Sequence, residues 1–366
     1  MLALQLQDNP TETLVLQEVE TPKIAQGKAL VKMKTASLNH RDQWIREGKY
    51  PGIQFDTTLG SDGCGVVVSV GSEQDSAWVD EEVIINPNIN WGESLDFQGE
   101  DYRILGNPDN GTFAEYLVID IDRLEQKPAH LTSEEAAALP LGGLTAFRAT
   151  FTQAEVNADD TVLISGFGGG VAQFAFQFAI AVGAKVFVTS GSEEKITKAI
   201  SLGALGGANY KEEDWHKRLQ NASGGFTKII DSAGGDQMNL LIRLLKPAGR
   251  LVFYGATLGL PENLDLHKIF FKQLRIQGST MGSDHEFSEM LDFVESNKIR
   301  PLVDSIVPFK KIITAFDKMQ AGNQLGKIVI SIEDKTQVKS SMKQSVSKVK
   351  DFFSGIFKKK ESKKSE

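Results

Sequence analysis

The stretch Val162–Ala172, VLISGFGGGVA, decides the fold. Its first residues are a short apolar run of the kind a fully buried strand carries. Glycines follow, and then an Ala/Phe-rich helical segment over 171–182. Glycines after a strand let the backbone turn sharply and approach a pyrophosphate, which the next helix meets with free N–H groups and its positive dipole end. The loop departs from G-x-G-x-x-G, because Phe167 holds the first position of that spacing and Ala172 the last. Taken alone it also fits a tight strand–helix turn, so the flanking pattern carries the assignment. Thr161–Ser165 reads as a strand, Lys185–Thr189 as the next, Ser192–Leu202 as a helix closed by Gly203, and Lys228–Ser232 and Gly249–Gly255 as later strands. Strands alternating with helices predict a doubly wound α/β unit with a parallel sheet covered on both faces.

The end of the second strand bears on the ligand. NAD binders commonly place Asp or Glu about 20 residues after the glycine loop, to accept from a ribose hydroxyl. Here the strand ends Val188-Thr-Ser-Gly-Ser192, with no carboxylate. Ser190, Ser192 and Lys195 supply hydroxyls and a cation, the set a 2′-phosphate needs, and this favours NADP(H) over NAD(H). The adjacent Glu193-Glu194 is the counter-signal, read here as a helix cap; a solvated Ser/Lys cap also fits Ser192 and Lys195.

Upstream the chain is β-rich. Ala29–Thr35 alternates, and Gly65–Val70 and Glu82–Ile85 are short β-branched runs beside turn residues. Residues 86–111 show no period and form a long loop or lobe. Thr132-Ser-Glu-Glu starts a helix, with its acids in the first turn. Past Met281 come a helical stretch over 285–296 and a last strand at Lys327–Ser331. The reading is a β-rich unit over 1–126, an α/β unit over 127–282, a closing segment over 283–333 and a tail over 334–366.

A chain of 366 residues is long enough for two cores. Its net charge of −8 averages two unlike parts, +7 over 335–366 and −15 over the rest. An acidic body argues against nucleic-acid binding. The tail spaces Val338, Met342, Val346, Val349, Phe352, Phe353, Ile356 and Phe357 mostly three or four apart among lysines. That fits a membrane-surface or partner-binding helix, and equally a solvated extension. No apolar run reaches 18 residues and no secretory signal is visible, so the expectation is a cytoplasmic protein, peripheral to membranes at most through the tail. The single cysteine, Cys64, excludes an internal disulfide and any cysteine-built zinc site; among small residues it reads as a buried inert thiol.

The motifs, taken in order, resemble the medium-chain dehydrogenase/reductase superfamily in its zinc-independent quinone-oxidoreductase-like branch. They are Ser37–Asp42 (SLNHRD), Gly60–Gly65 (GSDGCG) with Val70-Gly71, Gly111–Tyr116 (GTFAEY), Gly143–Ala146 (GLTA), the Gly168–Ala172 loop, Gly183-Ala184, Leu202–Ala204, Leu245–Arg250 (LKPAGR) and Gly326–Val329 (GKIV). They span about 1–332. The resemblance implies a GroES-like β-barrel catalytic domain over 1–126 completed by the returning segment 283–333, a Rossmann domain inserted between over 127–282, and assembly as a homodimer or homotetramer. Zinc-dependent members carry three ligands where this chain has Asn39, Ser61 and Leu141. A leucine has no donor atom, and zinc wants thiolate, imidazole or carboxylate. Asp62 and His40 remain nearby for at most a weak site, so no metal is expected.

Without a Lewis acid, an isolated ketone or alcohol is hard to polarise, whereas a quinone or α,β-unsaturated carbonyl accepts hydride at an electron-poor carbon. The expected function is therefore NADPH-dependent reduction of such a small electrophile. An enoyl-thioester or alcohol oxidoreductase of the same superfamily, or a non-catalytic NADPH-binding adaptor, stays open. The resemblance places Asn39 near the nicotinamide, lets Asp42 orient its loop, and gives Thr145 a cofactor contact. Asn39 and Asp42 also fit plain turn residues. Tyr50 is a candidate donor to the substrate oxygen, and also fits an aromatic packed under a loop. His40 and Arg41 each offer positive potential. On the cofactor side the expected contacts are Gly168, Gly169, Gly170 and Val171 at the pyrophosphate, Ser190, Ser192, Lys195 and Tyr210 at the adenosine phosphate, Gly255 and Thr257 at a strand end, and Lys327 in the returning segment.

Overall fold

The computed structural model describes residues 1–333. The expectations for the basic tail lie outside the described residues. Among those that are described, no helix is long and apolar enough to cross a membrane.

Six parallel strands form the dinucleotide unit: Thr161–Ile164, Lys185–Ser190, Gly206–Asn209, Phe226–Asp231, Leu245–Phe253 and Arg275–Gly278. Numbered along the chain, they lie in the order 3-2-1-4-5-6. The order reverses between Thr161–Ile164 and Phe226–Asp231, and ligands of open α/β sheets bind in the crevice at that point, beyond the carboxyl ends of the strands. The first strand is wholly buried and the helix Gly170–Ala181 packs beside it through Phe174, Ala175 and Phe178. Each such aromatic stabilises by roughly 1.5–3 kcal/mol through burial. The strand Gly206–Asn209 was not among those the sequence pattern suggested. Its residues, Gly-Gly-Ala-Asn, lack β-branched or aromatic side chains, and it pairs because Gly207 can lie flat against Val188.

The other large sheet has seven strands. Its central strand, Lys28–Ser37, pairs antiparallel with Asp62–Val70 and, at its end, with the returning strand Lys327–Ser331. Ser37 lies opposite Asp62 on one side and Val329 on the other. Continuing that antiparallel register two residues brings Asn39 level with Lys327. Three segments distant in sequence thus meet at one corner.

The segment 86–111 is mostly irregular, as its composition suggests, but contains a two-stranded ladder of Asn88–Ile89 with Arg103–Ile104. Its buried Trp91 lies between Tyr102 and the Arg148 guanidinium. Arg148 also donates to the carbonyls of Leu95 and Asp96 and pairs with buried Glu286 at 2.7 Å, fastening the lobe.

Candidate active site

Asp62 is fully buried at the corner just described, and its two oxygens are heavily solicited. Oδ1 accepts the Leu141 N–H at 2.8 Å. Oδ2 accepts from Asn39 Nδ2 at 2.8 Å, Lys327 Nζ at 2.9 Å and Ser37 Oγ at 3.3 Å. Lys327 Nζ also donates to Asn39 Oδ1 at 2.6 Å and is 2% exposed. A buried charge persists only when paired and hydrogen-bonded, and this pair meets both conditions.

Asn39 is the N-cap of the short helix His40–Arg46, and its own N–H donates to Asp42 Oδ2 at 2.8 Å. Asp42 therefore does hold the Asn39 backbone. Burial pushes its carboxyl up to about 6, against the pull of neighbouring Arg41 and of the Asn39 N–H. A carboxyl raised in the folded chain binds its proton more tightly there than in the unfolded chain, so it stabilises below about pH 4 and loses that contribution as pH rises through about 6. Asp42→Asn should abolish this dependence. Relative to the parent, the variant's unfolding free energy should rise by on the order of 3 kcal/mol between pH 4 and pH 7. Urea unfolding at both pH values checks this; a constant difference would contradict it.

Arg41 is buried and donates to Ser61 Oγ at 2.8 Å, Leu105 O at 2.9 Å and Asn107 O at 3.2 Å. Ser61 Oγ donates to Leu105 O at 2.7 Å. The Arg41 guanidinium carbon lies 4.9 Å from the centre of the Tyr50 ring. Tyr50 is half-buried there, against the sheet core. His40 is exposed, its ring edge-on to Trp44.

The donor set does not fit a tetrahedral zinc ion. Of the three matching positions, Asn39 offers an amide, Ser61 a hydroxyl committed to Arg41 and Leu105, and Leu141 only its backbone N–H, which goes to Asp62. The Lys327 ammonium already serves Asp62 as cation. Among the described residues no three His, Cys, Asp or Glu side chains gather to hold a metal. Cys64 is buried, and its thiol is pushed up to about 12 by that burial.

On the dinucleotide side the loop is a cradle that leaves little room for side chains at Gly168 and Gly170. Gly166 and Gly168 have φ of +65° and +123°. A Cβ on Gly168 would sit 2.8 Å from Lys195 Cδ, and one on Gly170 would sit 3.0 Å from Lys327 Cδ. Phe167, where the motif spacing would have glycine, turns inward and packs against Phe176. Gly169 is the N-cap, with its own N–H on Gly166 O at 3.2 Å. Gly170 and Val171 open the helix, and their N–H groups have no partner within it. This cradle fits a dinucleotide pyrophosphate.

The adenosine-phosphate set is arranged differently from the sequence reading. Ser190 is buried and its hydroxyl donates inward to Phe167 O at 2.9 Å, so it steadies the loop. Ser192 caps the next helix, accepting the Lys195 N–H at 3.5 Å. Lys195 Nζ reaches Gln324 O at 2.7 Å and Gly322 O at 3.3 Å. Tyr210 is exposed over Gly191, where an added Cβ would sit 2.7 Å from its hydroxyl and 3.0 Å from Lys211 Cε. Lys211 is thus a further cation at this corner, which the sequence reading missed. Thr145 is buried, with its hydroxyl on Leu141 O at 2.8 Å. Gly255 approaches Ser232 closely, and Thr257 is exposed at the sheet's carboxyl edge.

Asp231 was also missed. It is fully buried, accepts from Ser165 Oγ and from the Gly234 N–H at 2.8 Å, and ties the two loops flanking the switch point. Burial raises its carboxyl.

Comparison with known proteins matches both parts of the chain to dehydrogenase families. Residues 25–129 match the alcohol dehydrogenase GroES-like domain, and residues 170–296 the zinc-binding dehydrogenase family model. The chain is 33% identical over 341 residues to the zinc-type alcohol dehydrogenase-like protein YogA of Leptosphaeria maculans, covering 87% of this chain and 94% of that one. It is 27% identical over 330 residues to the acryloyl-coenzyme A reductase of Sulfurisphaera tokodaii, covering 88% and 97%. A crystal structure of an NAD-dependent alcohol dehydrogenase superimposes with a TM-score of 0.85 at 33% identity, covering 91% of this chain and all of that one.

Proposed function

Because this chain belongs to the medium-chain dehydrogenase/reductase superfamily and is one of its oxidoreductases, we propose that it works without zinc, reducing a quinone or an α,β-unsaturated carbonyl with NADPH. The observation that carries this reading is the Asn39–Asp62–Lys327 cluster, in which the Asp62 carboxylate is already paired with an ammonium, while no three potential zinc donors gather among the described residues. When bound, NADPH supplies the hydride. The protein's part is to hold the acceptor, exclude water and answer the negative charge that develops on the acceptor oxygen. Asn39, fixed by Asp42 through its backbone and by Asp62 through its side chain, lines the catalytic corner. Tyr50 is the proposed proton donor to the acceptor oxygen, with its ring held against the Arg41 guanidinium.

The cofactor would rest on the N–H groups of Gly170 and Val171, with Gly168 and Gly169 giving clearance and Lys327 near the diphosphate. Thr145 and Gly255 would border the nicotinamide half, and Thr257 the strand edge. Lys195, Ser192, Tyr210 and Lys211 would receive the 2′-phosphate. The absence of a carboxylate at the strand end, Thr189–Ser192, supports NADP(H). In this reading the units are 1–126 with 283–333 and 127–282, and the cofactor would lie between them.

Two alternatives have specific support. The acryloyl-coenzyme A reductase relative favours an enoyl thioester as the acceptor, and the NAD-dependent alcohol dehydrogenase structure favours an alcohol with NAD(H). NADPH oxidation by the purified chain with quinones, enals, enones and enoyl thioesters, beside alcohol oxidation with NAD+, separates them. Turnover of a quinone or enone is expected. NADPH binding with no turnover of any acceptor would sink the enzymatic reading.

We also propose assembly as a homodimer or homotetramer. The edge strand Arg275–Gly278 is largely exposed, and Leu266, Phe270 and Phe271 stand exposed nearby, Phe271 at 83%. Unpaired strand edges and apolar patches favour association. Phe271→Asp should lower the sedimenting mass toward that of one chain; an unchanged mass would contradict this interface.

A further inference from the structure

The Lys327 side chain is shared between the two halves of the site. Its Cδ passes 3.0 Å from where a Cβ on Gly170 would sit, at the first residue of the helix that receives the diphosphate in the reading above. Its ammonium, two bonds further on, is drawn the other way, to Asp62 and Asn39. The backbone just before it is fixed to the glycine loop, since the Gly326 N–H donates to Gly168 O at 2.9 Å. Rotation about the last side-chain bonds is enough to turn the ammonium from the carboxylate toward the helix N-terminus. Asp62 would keep its hydrogen bonds from Leu141, Asn39 and Ser37 meanwhile and give up its cation, a loss that opposes the turn.

We propose that Asp62 is a positioning residue that competes with the cofactor diphosphate for Lys327, so that cofactor affinity and the order of the Asn39 site are coupled through one ammonium. The inference rests on the dinucleotide reading. A ligand shifts such an equilibrium only by its differential interaction with the two arrangements, and the coupling is reciprocal. Removing the charge of Asp62 leaves the diphosphate as the anionic partner of Lys327. Cofactor binding then strengthens while turnover falls, because the Asn39 side chain has lost its anchor. Loss of a purely structural residue would weaken both.

The test is Asp62→Asn in the full chain, titrated with NADPH and with adenosine 2′-monophosphate, which has the 2′-phosphate and no diphosphate. NADPH should bind about tenfold more tightly, within the usual range of coupling between sites. The monophosphate should bind as it does to the parent, and kcat should fall. In a Lys327→Met background the same change should leave NADPH affinity unaltered. Asp62→Ser carries the same expectation should Asp62→Asn fail to fold. Unchanged or weaker NADPH binding on loss of the Asp62 charge overturns the competition. Failure of the parent to bind either ligand would instead overturn the NADP(H) reading.

Discussion

Lys327→Met is expected to lower kcat/KM for NADPH-dependent reduction by about 10–100-fold, since it removes a charged contact to the diphosphate and the Asn39 anchor, and hydrogen bonds to charged groups contribute about 1.5–3 kcal/mol. The same change leaves Asp62 as a buried carboxylate without its cation. Breaking a buried pair from one side costs about 3–5 kcal/mol, more than the pair is worth against neutral replacements of similar shape. Unfolding in urea should therefore show a large loss for Lys327→Met and a smaller one for Lys327→Met combined with Asp62→Asn, whose coupling a double-mutant cycle isolates. The double variant should recover stability without recovering turnover, because the charge conflict is gone and the ammonium is still missing. A Lys327→Met protein as stable and as active as the parent would contradict the role given to this pair.

The second large effect is expected at the adenosine end. Lys195→Ala together with Lys211→Ala should weaken NADPH binding by about 30–100-fold, since hydrogen bonds to charged groups contribute about 1.5–3 kcal/mol each and these lysines are partly open to solvent. NADH, which lacks the 2′-phosphate, should change by no more than about twofold on the same reasoning. Competition titrations with both cofactors measure the ratio. Equal losses for both would mean that Lys195 acts through its bonds to Gly322 and Gln324, steadying the segment that leads into the returning strand.

Much of the fold was legible because its signals are local. The glycine loop, the strand before it and the helix after it lie within about 20 residues, and the cap and closing glycine of the following helix are equally local. The strand Gly206–Asn209 was not legible, because it is made by pairing and not by propensity. The site divides in the same way. Asn39 and Asp42 sit at an N-cap spacing that sequence can show. Asp62 and Lys327 are 265 positions apart, and only the register of two strands on either side of Lys28–Ser37 brings them together. The Ser165–Asp231 bond spans 66 positions across neighbouring parallel strands. Ser190 illustrates a different limit. A hydroxyl at a strand end suits a phosphate by chemistry, yet its side chain turns toward Phe167 O, an orientation set by tertiary packing.

The family model that matches 170–296 is described as zinc-binding, while the chain's own donor set consists of an amide, a committed hydroxyl and a hydrocarbon. That contrast is best resolved by chemistry on matched substrates. The full chain, dialysed against a strong chelator, would be assayed with NADPH against 2-cyclohexenone and against cyclohexanone, which differ only in the activating double bond. The expected result is reduction of the enone at an undiminished rate, with the saturated ketone inert. Loss of activity restored by added zinc, or reduction of both ketones at similar rates, would contradict a metal-free site built for activated acceptors.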